Sequence, residues 1–109
     1  MTKVLIKRDR TGHYLSFHCK GHAGYAEEGE DIVCAGISAI VINTCNCLED
    51  LLEEQVTIRY SKDGGDISCV FRTIPSEKAA LLVDCMIHGL EWIRTQYGKK
   101  YLNYKIKEV

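Results

Sequence analysis

Residues 21–38 read Gly-His-Ala-Gly-Tyr-Ala-Glu-Glu-Gly-Glu-Asp-Ile-Val-Cys-Ala-Gly-Ile-Ser, and their character changes abruptly at Asp31. Before it, Gly21, Gly24 and Gly29 open backbone conformations closed to other residues, while Glu27, Glu28 and Glu30 leave no apolar face to bury. Residues 21–31 are therefore expected to form a mobile loop. Asp31 is a good N-cap for the apolar run that follows, which makes Ile32, Val33 and Cys34 the first helical residues. Cys34 then lies in the first turn, where unpaired backbone N–H groups and the positive end of the helix dipole favour an anion. A thiol in that setting is a candidate nucleophile, and His22, across a loop able to fold back, is a candidate base.

The pair alone is weak evidence in a chain with 6 Cys and 4 His. The plainer alternative makes Cys34 a small buried hydrophobe at a helix start and His22 an ordinary loop residue.

Upstream of the stretch lie two strands. Lys3 to Lys7 alternates, and Asp9-Arg10-Thr11-Gly12 supplies the turn of a hairpin whose return strand is His13 to Cys19. Leu15, Phe17 and Cys19 are expected on one face, with Tyr14, Ser16 and His18 on the other. That strand delivers Gly21 and His22 into the loop from a rigid sheet edge.

Downstream, the helix from Ile32 to about Glu53 is apolar all round in its first three turns, through Ile37, Ile40, Val41 and Ile42. A helix packed once against a sheet should show a polar stripe, so a second cover is required. In so small a domain that cover is expected to be a second copy of the chain, with Gly36 and Ala39 permitting close approach. Val56 to Ser61 and Asp66 to Arg72 flank Lys62-Asp63-Gly64-Gly65 as a second hairpin. Ser76 caps a second helix whose apolar positions run from Ala79 to Tyr97, until Gly98 ends it. His88 lies off that apolar stripe and is expected to be exposed. Tyr101 to Ile106 is a last strand. The order ββαββαβ predicts one domain, 1–109, with an α/β two-layer sandwich (α+β) of two helices on a mostly antiparallel sheet.

Composition narrows the function classes. A net charge of −1 over 109 residues gives no footprint of direct nucleic-acid binding. The basic run from Lys99 to Lys107 is interleaved with apolar residues and reads as a solvated strand face. Met1-Thr2-Lys3 leads straight into an alternating segment and the apolar run Ile32 to Ile42 is short for a bilayer, so a cytoplasmic protein without membrane contact is expected. Its cysteines are then reduced thiols. Their spacings do not suit a metal: Cys45 and Cys47 point apart on a helix, and His18 and Cys19 face opposite sides of a strand. No cofactor is expected.

The whole string Gly-His-Ala-Gly-Tyr-Ala, the acidic run Glu27 to Asp31, and Ile-Val-Cys-Ala-Gly-Ile-Ser closely resembles the signature of the ribosomal-processing cysteine proteases, bacterial enzymes of about this length. The resemblance covers nearly the whole chain. It implies His22 as base and Cys34 as nucleophile. It also implies, as substrate, the precursor of the twenty-seventh large-subunit ribosomal protein, whose short N-terminal extension is cut after a phenylalanine-containing motif. Asp31 and Ser38 match the motif too: Asp31 either orients His22 or simply caps the helix, and Ser38 either steadies the thiol or bonds its own backbone. Tyr25, with Gly21, Gly24 and Gly29, belongs to the expected substrate loop. Two rivals from other classes are a non-enzymatic ribosome-associated module and a zinc-binding module built on His22 and Cys34.

Overall fold

The computed structural model describes residues 1–27 and 29–109; the part of the loop expectation that falls on Glu28 lies outside the described residues. The chain forms β1 (Thr2–Arg8), β2 (Tyr14–Lys20), α1 (Ile32–Asn46), β3 (Val56–Tyr60), β4 (Asp66–Phe71), α2 (Glu77–Tyr97) and β5 (Leu102–Glu108), and a π-helical turn (Cys47–Leu51) extends α1. The five strands lie in the order β3-β4-β2-β1-β5. Three neighbouring pairs are antiparallel and β1 pairs with β5 in parallel, so the mostly antiparallel α+β sandwich is the observed architecture.

Both hairpins form as the turn residues predict. In the second, Val56 pairs with Phe71, Ile58 with Cys69 and Tyr60 with Ile67. In the first, the expected facing fails at one end. The register shifts between Lys7 and Arg8, which places Lys7 opposite Ser16 but Arg8 opposite Tyr14 and leaves Leu15 as the extra residue of a bulge. Tyr14 therefore turns into the core and Leu15 turns out, while Phe17 and Cys19 stay buried as expected. The Tyr14 hydroxyl donates to Asp84 of α2; burial, then that carboxylate, pushes the phenol up to about 12.

The second cover over α1 comes from within the chain. Val33, Ile37, Val41 and Cys45 face inward. Gly36, expected to admit a second copy, instead faces Ile93 of α2, where an added Cβ would stand 3.6 Å from Cδ1. One turn further, Gly89 of α2 leaves room for Ile40, whose Cδ1 lies 3.0 Å from where a Cβ would be. The apolar circumference of α1 is thus shared between the sheet, α2 and a cleft on its outer side. Ile32 to Leu51 is long and apolar enough by composition to cross a membrane, and its inner side, through Val33, Ile37, Val41 and Cys45, packs into the domain's core. Its last turn widens into the π form and ends at Leu52, ahead of Glu53, which takes the left-handed φ of 51° often given to glycine.

Candidate active site

Two strand ends and one helix start converge on a single cleft. β2 pairs with β4 up to Lys20 opposite Asp66, so the residues beyond, Gly21 and His22 on one side and Gly65 to Asp63 on the other, must meet. The Gly21 N–H donates to the Gly65 carbonyl at 2.7 Å and prolongs the ladder by one bond. Gly21 takes φ 89°, which turns the chain out of the sheet toward α1. His22 follows, with its Nδ1 3.8 Å from the Sγ of Cys34. This is within the reach of a sulfur hydrogen bond and long for a tight one, as resting catalytic contacts often are.

Asp31 performs the cap the sequence predicts. Its Oδ1 accepts from the Cys34 N–H at 2.8 Å. Its Oδ2 accepts from the N–H groups of Tyr25 at 2.9 Å and Ala26 at 3.4 Å, so one carboxylate fastens the loop to the helix start. Slight burial works against ionisation, and these backbone bonds outweigh it, holding the Asp31 carboxyl below the ordinary range. Both oxygens thus bond backbone N–H groups, which is the capping role the sequence offered for Asp31. The same bonds bear on oxyanion binding: the N–H groups of Cys34 and Ala35 are both engaged by Asp31, through its side chain and its carbonyl respectively.

The loop also has a packing partner that the sequence did not suggest. Tyr25 meets Tyr97 and Tyr101 edge to face, with ring centroids 5.5 and 5.1 Å away, and Ala23 is buried. Gly24 and Gly29 take positive φ values of 75° and 90°, in keeping with the glycine-punctuated reading.

The cleft holds about 600 Å³, and its walls include His22, Cys34, Asp31, Ser38, Ile42 and Asp63. Cys34, Ser38 and Ile42 succeed one another along the outer side of α1, so part of the apolar helix surface is the floor of the cleft. Ser38 lies one turn beyond Cys34 on that floor. Cys34 itself is half-buried, whereas Cys19, Cys45 and Cys69 are buried. Burial, then the neighbouring Cys34, pushes the Cys19 thiol up to about 12. His18 is exposed on the opposite side of β2 from Cys19, and His88 is exposed on α2.

Sequence reasoning missed Asp63 and Gly65, which were assigned only to a hairpin turn. The Oδ2 of Asp63 lies 3.7 Å from the Nε2 of His22, and Gly65 packs against the same ring. No local spacing could have linked them to His22, because the link is made by the β2–β4 register.

The description "Cysteine protease Prp" belongs to the family model that matches residues 1–102. Over 101 residues the chain is 36% identical to the ribosomal processing cysteine protease Prp of Bacillus subtilis, covering 89% of this chain and 90% of that one. It is 35% identical over 106 residues to the protein of the same name from Staphylococcus aureus, with 96% of this chain and all of that one covered. The crystal structure of the essential ribosomal processing protease Prp from S. aureus, in complex with a covalently linked product peptide, superposes with a TM-score of 0.91 at 29% identity. That match covers 98% of this chain and 100% of the other. A fold, a thiol cleft and a sequence that agree over almost the full length have one common reading: the chain belongs to the ribosomal-processing cysteine protease family, Prp, and is a cysteine protease.

Proposed function

We propose that Cys34 is the nucleophile and His22 the base of an endopeptidase that removes the N-terminal extension from the precursor of the twenty-seventh large-subunit ribosomal protein. The observation that carries the reading is the contact between Cys34 Sγ and His22 Nδ1 at the mouth of a cleft with an apolar floor. His22 Nδ1 takes the thiol proton, and Sγ attacks the scissile carbonyl carbon. Collapse of the tetrahedral adduct breaks the C–N bond, and the imidazolium gives its proton to the leaving amine. Water, deprotonated by the same imidazole, then hydrolyses the thioester and regenerates the thiol. Use of the Cys34 N–H as an oxyanion donor requires the Asp31 cap bond to loosen during that sequence.

The substrate assignment draws on the relatives, which are named for ribosomal processing, and on the S. aureus structures holding product and substrate peptides. The apolar cleft floor, with Ile42 at its far end, suits bulky apolar residues before the cut. Six free thiols fit a reducing, cytoplasmic setting. A homodimer keeps some support in the exposed row Leu81, Cys85, His88 and Trp92 on the outer side of α2; a monomer by sedimentation equilibrium at micromolar concentration removes it.

The test is His22→Ala. It is expected to abolish turnover of the precursor and leave the melting temperature close to wild type, since the ring is half exposed. A large loss of melting temperature would mark His22 as structural, and retained turnover would overturn its role as base.

A further inference from the structure

We infer that Asp63 is the positioning residue for His22, so that the site is a Cys34–His22–Asp63 relay supplied by a helix start, a strand end and a hairpin turn. The inference deepens the proposed function and rests on His22 acting as the base for Cys34.

The geometry assigns each ring nitrogen a separate neighbour. Nδ1 faces Sγ at 3.8 Å, and Nε2 faces the Oδ2 of Asp63 at 3.7 Å. With the proton of the resting ring on Nε2, directed at the carboxylate, Nδ1 is left as the acceptor that a general base needs. After proton transfer the imidazolium still has the Asp63 carboxylate on its Nε2 side, which keeps the ring facing Cys34. Among the described residues, the charged and titratable groups facing the ring are Cys34 from α1 and Asp63 from the β3–β4 turn, with Asp31 directed instead at the backbone of the loop.

Asp63 is held in place by groups that do not depend on His22. Its Oδ1 accepts from the Ser61 hydroxyl at 2.7 Å and from the Gly65 N–H at 2.9 Å, and Ser61 Oγ in turn accepts from the Asp66 N–H. One oxygen is committed to the turn, and the other is free to face the histidine. The hydroxyl of Ser61 and the Gly65 N–H, with His22 adding to them, hold the Asp63 carboxyl below its ordinary range, so it is ionised at neutral pH. Gly65 completes the seat, because any Cβ there would stand 3.0 Å from Nε2 and 3.2 Å from Oδ1 of Asp63. A turn serving only to reverse the chain needs neither the open side at Gly65 nor a carboxylate oxygen aimed across to another hairpin's strand end.

Two variants separate positioning from turn stability. Asp63→Ala is expected to lower kcat about ten-fold with little change in KM, because the base is misaligned while the cleft is intact. Asp63→Asn keeps the turn bonds through its one carbonyl oxygen but sets its NH2 group against Nε2, which draws the ring proton to Nδ1, so it is expected to lose as much kcat as the Ala variant while keeping the wild-type melting temperature. The second readout is alkylation of Cys34 by iodoacetamide, which needs no substrate. Asp63→Ala should slow it several-fold in the wild-type background and leave it unchanged in a His22→Ala background, since the effect runs through the imidazole. Equal slowing in both backgrounds, or an Ala variant as active as wild type, overturns the inference. An Asn variant as active as wild type, or one that loses melting temperature along with turnover, also overturns it, the latter reassigning Asp63 to the turn alone. If His22→Ala itself retains full turnover, the base assignment has failed, a result distinct from wild-type behaviour of Asp63→Ala beside an inactive His22→Ala.

Discussion

Gly65 lies against the imidazole of His22: a Cβ built on it would meet Nε2 at 3.0 Å, tighter than side chains normally tolerate. Its φ is not in the left-handed region, so alanine there acts through the crowding of His22 and, less closely, of the Asp63 carboxylate. Gly65→Ala is expected to push the ring by a few tenths of an ångström and lower kcat about ten-fold, with the melting temperature close to wild type. Steady-state kinetics beside a thermal melt check this. Wild-type kcat would show that His22 has room to spare.

Thiol chemistry offers an independent check on Cys34. Cys19, Cys45 and Cys69 are buried, and burial holds the Cys19 thiol near 12, whereas Cys85 is exposed on the surface of α2. Limiting iodoacetamide near neutral pH should therefore label Cys34 ahead of Cys85 and the half-buried Cys47, because only Cys34 combines access with a histidine and a helix N-terminus. Peptide mapping that finds Cys85 labelled first would contradict the assignment.

Asp31 joins the loop to the helix, which makes its removal a test of both. Asp31→Ala loses an N-cap, worth about 1 kcal/mol, together with the bonds to Tyr25 and Ala26. The melting temperature should fall, and amide exchange at Tyr25 and Ala26 should quicken. A carboxyl with a depressed folded pKa stabilises the fold above its unfolded value of about 3.9 and loses that contribution as the pH falls through the folded value. The stability gap between wild type and Asp31→Ala should thus be full at neutral pH and shrink on acidification below about pH 4. A gap that does not change with pH would mean that the carboxylate charge has no part in the staple.

The two hairpins, the helix start at Asp31 and the end of α2 at Gly98 were legible because each depends on residues adjacent in sequence. So was the approach of His22 to Cys34, through the loop and cap that flank them. What escaped was set by contacts between distant segments. The bulge at Leu15 reverses the facing of Tyr14 without any glycine to announce it. The second cover on α1 is α2, through Gly36 and Gly89, where the apolar pattern alone pointed to a second copy of the chain. Tyr25 finds Tyr97 and Tyr101 only after α2 returns the chain to β5. Asp63 reaches His22 only through the β2–β4 register, so a residue that reads locally as turn chemistry stands in the active cleft.

The central claim is that the Cys34 thiol, activated by His22, cuts the ribosomal protein precursor once near its N-terminus. Intact-mass measurement of the precursor after incubation with the enzyme tests it most directly. The account predicts two fragments whose masses sum to that of the precursor plus one water, formed by wild type and absent with Cys34→Ala. An uncut precursor with a wild type that is folded and alkylated normally at Cys34, or the same fragments produced by Cys34→Ala, would contradict it.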